Sequence, residues 1–234
     1  MARLTCSGIL MIGALTLSSM AQGGCSPVRP GPTVPVAEVL SRAAERLRDL
    51  ESVHFVLDVQ GRVAPLANDL EIVKADGDLK RPGDARMKAT LRSQGAVFET
   101  ELWIVNGRTY ARSPLGSDIT ELPGGTRVAL LDPENGLPAA VVQIQSPQLL
   151  RADVEDGGTV HRIRGSLPTP AVAKLIGGTP HEGVVTVEAG VRAVDSQVSR
   201  LVLTGRALVG DDQQVVRTIV LSAWNTPVSI QPPG

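Results

Sequence analysis

The sequence predicts an α+β fold, mainly antiparallel β: a strongly curved sheet with helices across its concave face. Three observations lead to it. Residues 84–113 alternate apolar and polar side chains with period two, the signature of strands with one dry and one wet face. About ten such segments, separated by Gly, Pro and Asn punctuation, run the length of the chain. One amphipathic helical pattern precedes them and two short ones are inserted among them.

The first helix is predicted over Val36–Leu50, where Val36, Val39, Leu40, Ala43, Ala44, Leu47 and Leu50 recur at helical spacing with charges between them. Val53–Arg62 reads as a strand with Phe55, Leu57 and Val59 on one face. Leu70–Lys80 reads as a second strand, with Gly77 suggesting a bulge. The central meander follows. Met87, Ala89 and Leu91 share the dry face of its first strand, and Phe98, Leu102 and Ile104 that of its second. Asn106-Gly107 tolerates positive φ at both central positions of a type I′ turn, and Arg108–Arg112 returns from it.

Between Arg112 and Pro133 the chain is mostly loop, with a short strand at Asp118–Leu122. Asp132-Pro133-Glu134 reads as a helix start, with Leu137, Ala140, Val141 and Ile144 as the apolar face. Ala152–Glu155 and Thr159–Leu167 are strands around Gly157-Gly158. Thr169-Pro170-Ala171 opens the last helix, with Val172, Leu175 and Ile176 inward and Gly177-Gly178 closing it. Gly183–Glu188, Gln197–Leu208 and Gln214–Trp224 complete the strands, with turns at Ala189-Gly190 and Gly210-Asp211.

A chain of 234 residues without a second linker or an internal repeat suits one domain. Its net charge of −1 gives no electrostatic reason to bind nucleic acid or an anionic surface. Hydrophobic residues make up 42% but aromatics only 2%, so the apolar part is Val, Leu, Ala and Ile. That disfavours base stacking and suits either an ordinary aliphatic core or a featureless apolar partner such as an acyl chain.

Residues 1–24 read as a signal peptide. Arg3 supplies the positive end, and the apolar run Gly8–Met20 is shorter than the ~20 residues a membrane-spanning helix needs. Gly23-Gly24-Cys25-Ser26 resembles a lipobox, after which Cys25 is acylated and anchors the chain. Gln22 stands where that pattern has an aliphatic, and ordinary signal cleavage after Ser19-Met20-Ala21 is the competing reading. Cys6 falls in the signal, so acylation would also account for the single cysteine of the exported chain. Residues 25–35, with prolines at 27, 30, 32 and 35, form an extended tether, and 36–234 the domain.

No catalytic pattern emerges, and neither metal nor cofactor is expected. His54, His161 and His181 are far apart and lack metal-ligand spacing. The glycine pairs at 124–125 and 177–178 lack the setting of a phosphate loop, and no nucleophile elbow is present. Glu99 and Glu101 read as a solvent face, and Asp211-Asp212 as a hairpin tip. No carboxylate is apparent on a dry face.

Several segments, in this order, resemble the mycobacterial LppX/LprA/LprF/LprG lipoproteins. They are Leu50–Leu57, Gly77-Asp78-Leu79, Met87–Leu91, Asp132–Leu137, Ile163-Arg164-Gly165, Val220–Trp224 and Pro232-Pro233. The resemblance implies a half-barrel with helices over its mouth and a large apolar cavity for multi-acylated lipids or lipoglycans. It implies an exported, non-enzymatic protein held on the outer face of the plasma membrane, carrying its ligand toward the outer envelope. It also implies that Met87 faces the cavity.

On this reading the lining is drawn from Phe55, Leu57, Val59, Leu70, Ile72, Met87, Ala89, Leu91, Phe98, Leu102 and Ile104 on the early strands. Leu137, Val141, Ile144, Val172 and Ile176 contribute from the inserted helices, and Leu201, Leu203, Ile219 and Leu221 from the last strands. The expected protein is a monomer whose partners are an acylated lipid or lipoglycan, the membrane and, as a further candidate, a membrane lipid exporter. A structural or adaptor lipoprotein with a packed interior, or an accessory subunit of a transporter, is the alternative.

Overall fold

A computed structural model describes residues 34–65, 70–114, 116–122, 129–155 and 158–233. The signal peptide, Cys25 and all but the last two tether residues, and the loop glycines 124, 125 and 157, lie outside the described residues.

Helix α1 spans Val36–Arg48 and buries Val39, Leu40, Ala43, Ala44 and Leu47, the predicted stripe. Arg46 and Arg48 in its last turn complement the negative end of the helix dipole. Eleven strands follow among the described residues: β1 Ser52–Gln60, β2 Glu71–Lys80, β3 Asp84–Ser93, β4 Ala96–Val105, β5 Arg108–Arg112 and β6 Ile119–Leu122. After α2 (Leu137–Val142) come β7 Gln145–Glu155 and β8 Gly158–Pro168. After α3 (Thr169–Ile176) come β9 Val184–Arg192, β10 Val198–Thr204 and β11 Val216–Ser222.

All form one sheet in the order β6-β5-β4-β3-β2-β1-β11-β10-β9-β8-β7. It is therefore two antiparallel meanders, β1–β6 and β7–β11, joined where the first strand pairs with the last. The sheet stays open, with β6 and β7 as its edges. Side chains alternate as predicted, so Val53, Phe55, Ala75, Met87, Ile163, Val187, Leu201 and Ile219 all enter one core with the apolar faces of α1, α2 and α3. Each Val, Leu, Ile, Phe or Met side chain fully buried this way stabilises the fold by about 1.5–3 kcal/mol.

The turn at Asn106-Gly107 has positive φ at both residues, 51° and 76°, as type I′ geometry requires. Gly77 differs from the expectation. The bulge in β2 lies between Ile72 and Lys74, and Gly77 pairs regularly with Met87. A Cβ at Gly77 would sit 2.2 Å from the Arg86 carbonyl oxygen and 2.6 Å from Met87 Cα, so only glycine lets β3 come this close.

Three other expectations shift. Asp132 does not cap a helix at Pro133. Its Oδ1 accepts the Glu134 and Asn135 N–H groups at 2.9 Å in a tight turn, and α2 begins only at Leu137, leaving Ile144 beyond its end. Strand β7 begins at Gln145 rather than Ala152; Pro147, Ser146 with φ 47° and two register shifts hide its alternation. Strand β9 runs through Ala189-Gly190 to Arg192, because both residues pair with β8 and β10.

The outer face of the sheet is charged. Arg162, half-buried, reaches the carboxylates of Asp153, Glu155 and Glu188, which are half-buried with it. Trp103 is also on this face, yet only 5% exposed, because the guanidinium groups of Arg86 and Arg112 stand 5.8 and 5.4 Å from its ring centre.

Candidate functional site

A pocket of about 150 Å³ lies between the concave face of β1, β2, β3 and β11 and a wall of helix and loop. Phe55, Leu57, Val59, Ile72, Ala75, Met87 and Ile219 form the sheet side. Leu130, Leu175, Ile176 and Leu208 face them, and Val63 and Ala64 close the end beyond β1. The bulge between Ile72 and Lys74 resets the alternation of β2, so that Ile72, opposite Leu91, and Ala75, opposite Ala89, both face inward.

The expected lining residues divide between pocket and core. Phe55, Leu57, Val59, Ile72, Met87, Ile176 and Ile219 line the pocket. Ala89, Leu91 and Ile104 are buried further along the same concave face, while Leu102 is half-buried against the core. Leu137, Val141, Ile144 and Val172 pack into the core from α2, its end and α3, and Leu201, Leu203 and Leu221 from β10 and β11. Leu70, just ahead of β2, and Phe98, at the far end of β4, are half-buried.

The pocket has one charged side chain among its lining residues, Arg217. It is 4% exposed and is paired across the sheet with Val59 and Leu203. Its Nη2 donates to both oxygens of Asp211, at 2.7 and 2.8 Å. Asp211, expected at a solvent-facing hairpin tip, is 1% exposed. The loop after β10 folds back over it, so its carboxylate also accepts the backbone N–H of Ala64 at 2.8 Å, Leu208 at 2.9 Å and Ala207 at 3.1 Å. Burial pushes this carboxyl up. The Ala64 N–H, the Arg217 hydrogen bond, the Leu208 N–H and the guanidinium charge together outweigh that and hold it below the ordinary carboxylate range.

Arg217 was legible in principle. It stands two residues before Ile219, hence on the same face by period two. Asp211 carried no such signal, since its burial depends on a loop path.

The three histidines stay apart. His54 sits on the outer face, its Nδ1 2.9 Å from Asp78 and its Nε2 3.4 Å from Asp76. His161 lies on β8, and His181 Nδ1 bonds the Glu182 carbonyl oxygen. No group that could hold a metal occurs among the described residues. A hollow of about 450 Å³ on the outer face is lined by His54, Lys74, Asp76, Asp78, Arg86, Lys88, Glu99 and Glu101. It is larger than the inner pocket, but its charges remain hydrated, so it offers nothing to an acyl chain.

An open, curved antiparallel sheet with helices on its concave side and a mainly apolar pocket between sheet and α3 defines a half-barrel fold. The chain belongs to the LppX_LprAFG lipoprotein family, whose model matches residues 36–230. Among its relatives is LprF of Mycobacterium tuberculosis, proposed by its name to transport diacylated glycolipids, 23% identical over 97% of this chain and 91% of that protein. Another is the lipoarabinomannan carrier protein LprG of Mycolicibacterium smegmatis, 22% identical over 96% of this chain and 95% of that one. Crystal structures agree on the fold. LprF from Mycobacterium bovis superposes with a TM-score of 0.66 at 22% identity, covering 84% of this chain and 96% of that one. LppX from Mycobacterium tuberculosis gives 0.60 at 18% identity, covering 83% and 97%.

Proposed function

We propose that this protein is a cell-envelope carrier that takes acyl chains of lipids or lipoglycans into its inner pocket and moves them between plasma membrane and outer envelope. The observation that carries the reading is the pocket itself, apolar along its lining except at Arg217 and set between the sheet and a wall of α3 and loop residues. Exposing a methylene to water costs ~0.8 kcal/mol, so a sixteen-carbon chain crossing water unshielded costs on the order of 13 kcal/mol. An enclosed aliphatic surface removes that cost without needing fixed polar partners.

The pocket's size sets a condition. At about 150 Å³ it is smaller than the roughly 300–1,000 Å³ of ordinary ligand sites, so a whole chain enters only by parting the Leu130–Leu175–Ile176–Leu208 wall from the sheet. The same small volume favours a second reading, an adaptor lipoprotein or transporter subunit whose interior is simply packed. Organic extraction of the purified protein, followed by mass spectrometry, separates the two. Acylated lipid at near-equimolar amount is expected; absence of lipid, with no uptake from vesicles, overturns the carrier reading.

The reading includes an anchor at Cys25, supported by the lipobox-like Gly23-Gly24-Cys25-Ser26. One acyl chain binds membranes only marginally, whereas two or three hold firmly. Metabolic labelling with a clickable fatty acid should mark the wild type and not Cys25→Ser. Equal labelling of both, or a mature N-terminus at Gln22, would remove the anchor.

A further inference from the structure

Arg217 is the polar exception in the pocket, and its hydrogen-bonding capacity is only partly used. Of its guanidinium nitrogens, Nη2 alone has a partner among the described residues, and that partner is Asp211. Nε and Nη1 have no hydrogen-bond partner among the described residues, and the side chain lines the pocket, so Arg217 brings spare donor capacity to its wall. Asp211 cannot take them as well. Its two oxygens already accept three backbone N–H groups besides Nη2.

The charge balance narrows what the free donors suit. Arg217 and Asp211 together are neutral, and the other lining residues are uncharged. A phosphate or carboxylate placed there would leave a net negative charge in an aliphatic enclosure, which desolvation penalises. A neutral acceptor carries no such penalty. Arg217 stands opposite Val59 on β11, while Leu57 and Phe55 follow along β1 and, with Met87, extend the apolar floor. A molecule with one neutral acceptor at the head of a long apolar tail matches this layout.

We infer that Arg217 is a recognition residue for the acyl ester linkage: an ester carbonyl oxygen of the bound lipid accepts from Nη1–H, the guanidinium edge not held by Asp211, and its chain runs along β1 past Leu57 toward Phe55 and Met87. The inference rests on the carrier reading and adds to it the class of linkage that the pocket selects. It makes the pocket discriminate acyl esters from alkyl ethers of equal length.

The test offers the full-length protein vesicles containing equal amounts of dipalmitoyl-glycerophosphocholine and its di-O-hexadecyl ether analogue. The lipid retained after re-purification is then quantified by mass spectrometry. Wild type should retain the ester about tenfold over the ether, the factor that ~1.4 kcal/mol provides. In Arg217→Gln the ratio should fall to about one. A ratio within one protein is insensitive to a general loss of stability, which a merely structural role would produce. Should Arg217→Gln not fold, Asp211→Ala combined with Arg217→Met removes both charges and every side-chain donor, and the same fall is expected. Equal retention of ester and ether by wild type overturns the inference and leaves the carrier reading standing. A preference that survives both substitutions also overturns it. Retention of neither lipid overturns the carrier reading beneath it.

Discussion

Asp211→Ala is expected to lower the melting temperature by about 6–20 °C. Removing one partner of a buried ion pair costs roughly 3–5 kcal/mol, because the remaining charge is stranded, and each kcal/mol moves the midpoint of a domain this size by ~2–4 °C. Here the stranded group is Arg217 at 4% exposure, and three backbone N–H groups lose their acceptor with it. Those N–H groups tie the end of β1 to the loop after β10, so the pocket's closed end should loosen first. Calorimetry of the two proteins decides it, and a shift under 2 °C would show that the pair contributes little. Removing both charges together, as Asp211→Ala with Arg217→Met, should recover much of the loss, since the cost arises from the unpaired charge.

Acid should reproduce the effect in the unmodified protein. The carboxyl of Asp211 is held below its ordinary value in the folded state, so the unfolded chain takes up the proton first as pH falls. Its stabilising contribution is complete above the unfolded value of about 3.9 and is lost as pH drops below that toward the folded value. Denaturant midpoints measured from pH 6 downward should fall more steeply for wild type than for Asp211→Ala in this window. Parallel curves would assign the acid sensitivity to other carboxylates.

The contrast between Asp211 and Met87 shows what could be read from residues alone. Period-two alternation is a local property, and it placed Met87, Ala89, Leu91 and Ile104 on the buried face correctly. The same rule extends to Arg217, where a charged residue occupies an inward position of β11. Asp211 is buried by contacts from Ala64, far away in the chain, and no local pattern encodes that. Strand β7 was obscured for a related reason: its bulges break the period that identifies strands. The pairing of β1 with β11, which makes one sheet of two meanders, is likewise a long-range fact that segment-by-segment reading does not reach. Pocket and core lining are also indistinguishable by period, since Leu201 and Ile219 follow the same alternation and only Ile219 lines the pocket.

Met87→Trp is expected to reduce retained lipid tenfold or more while shifting the melting temperature of the lipid-free protein by no more than a few degrees. In a close-packed core, added bulk strains the neighbours and costs about 1–3 kcal/mol. Met87 is buried at 6% exposure, but one side of it is the pocket, and Gly77 opposite has no side chain to obstruct it. The indole therefore has open space to enter, and that space is the floor on which an acyl chain would lie. Ala89→Trp is the matched control. Ala89 is 1% exposed on the same strand and face but does not line the pocket, so its enlargement should destabilise the fold by the strain cost. Lipid extraction and thermal melting of both variants separate the roles. If Met87→Trp melts as low as Ala89→Trp and still holds its lipid, Met87 belongs to the packed core and the pocket is not where the chain resides.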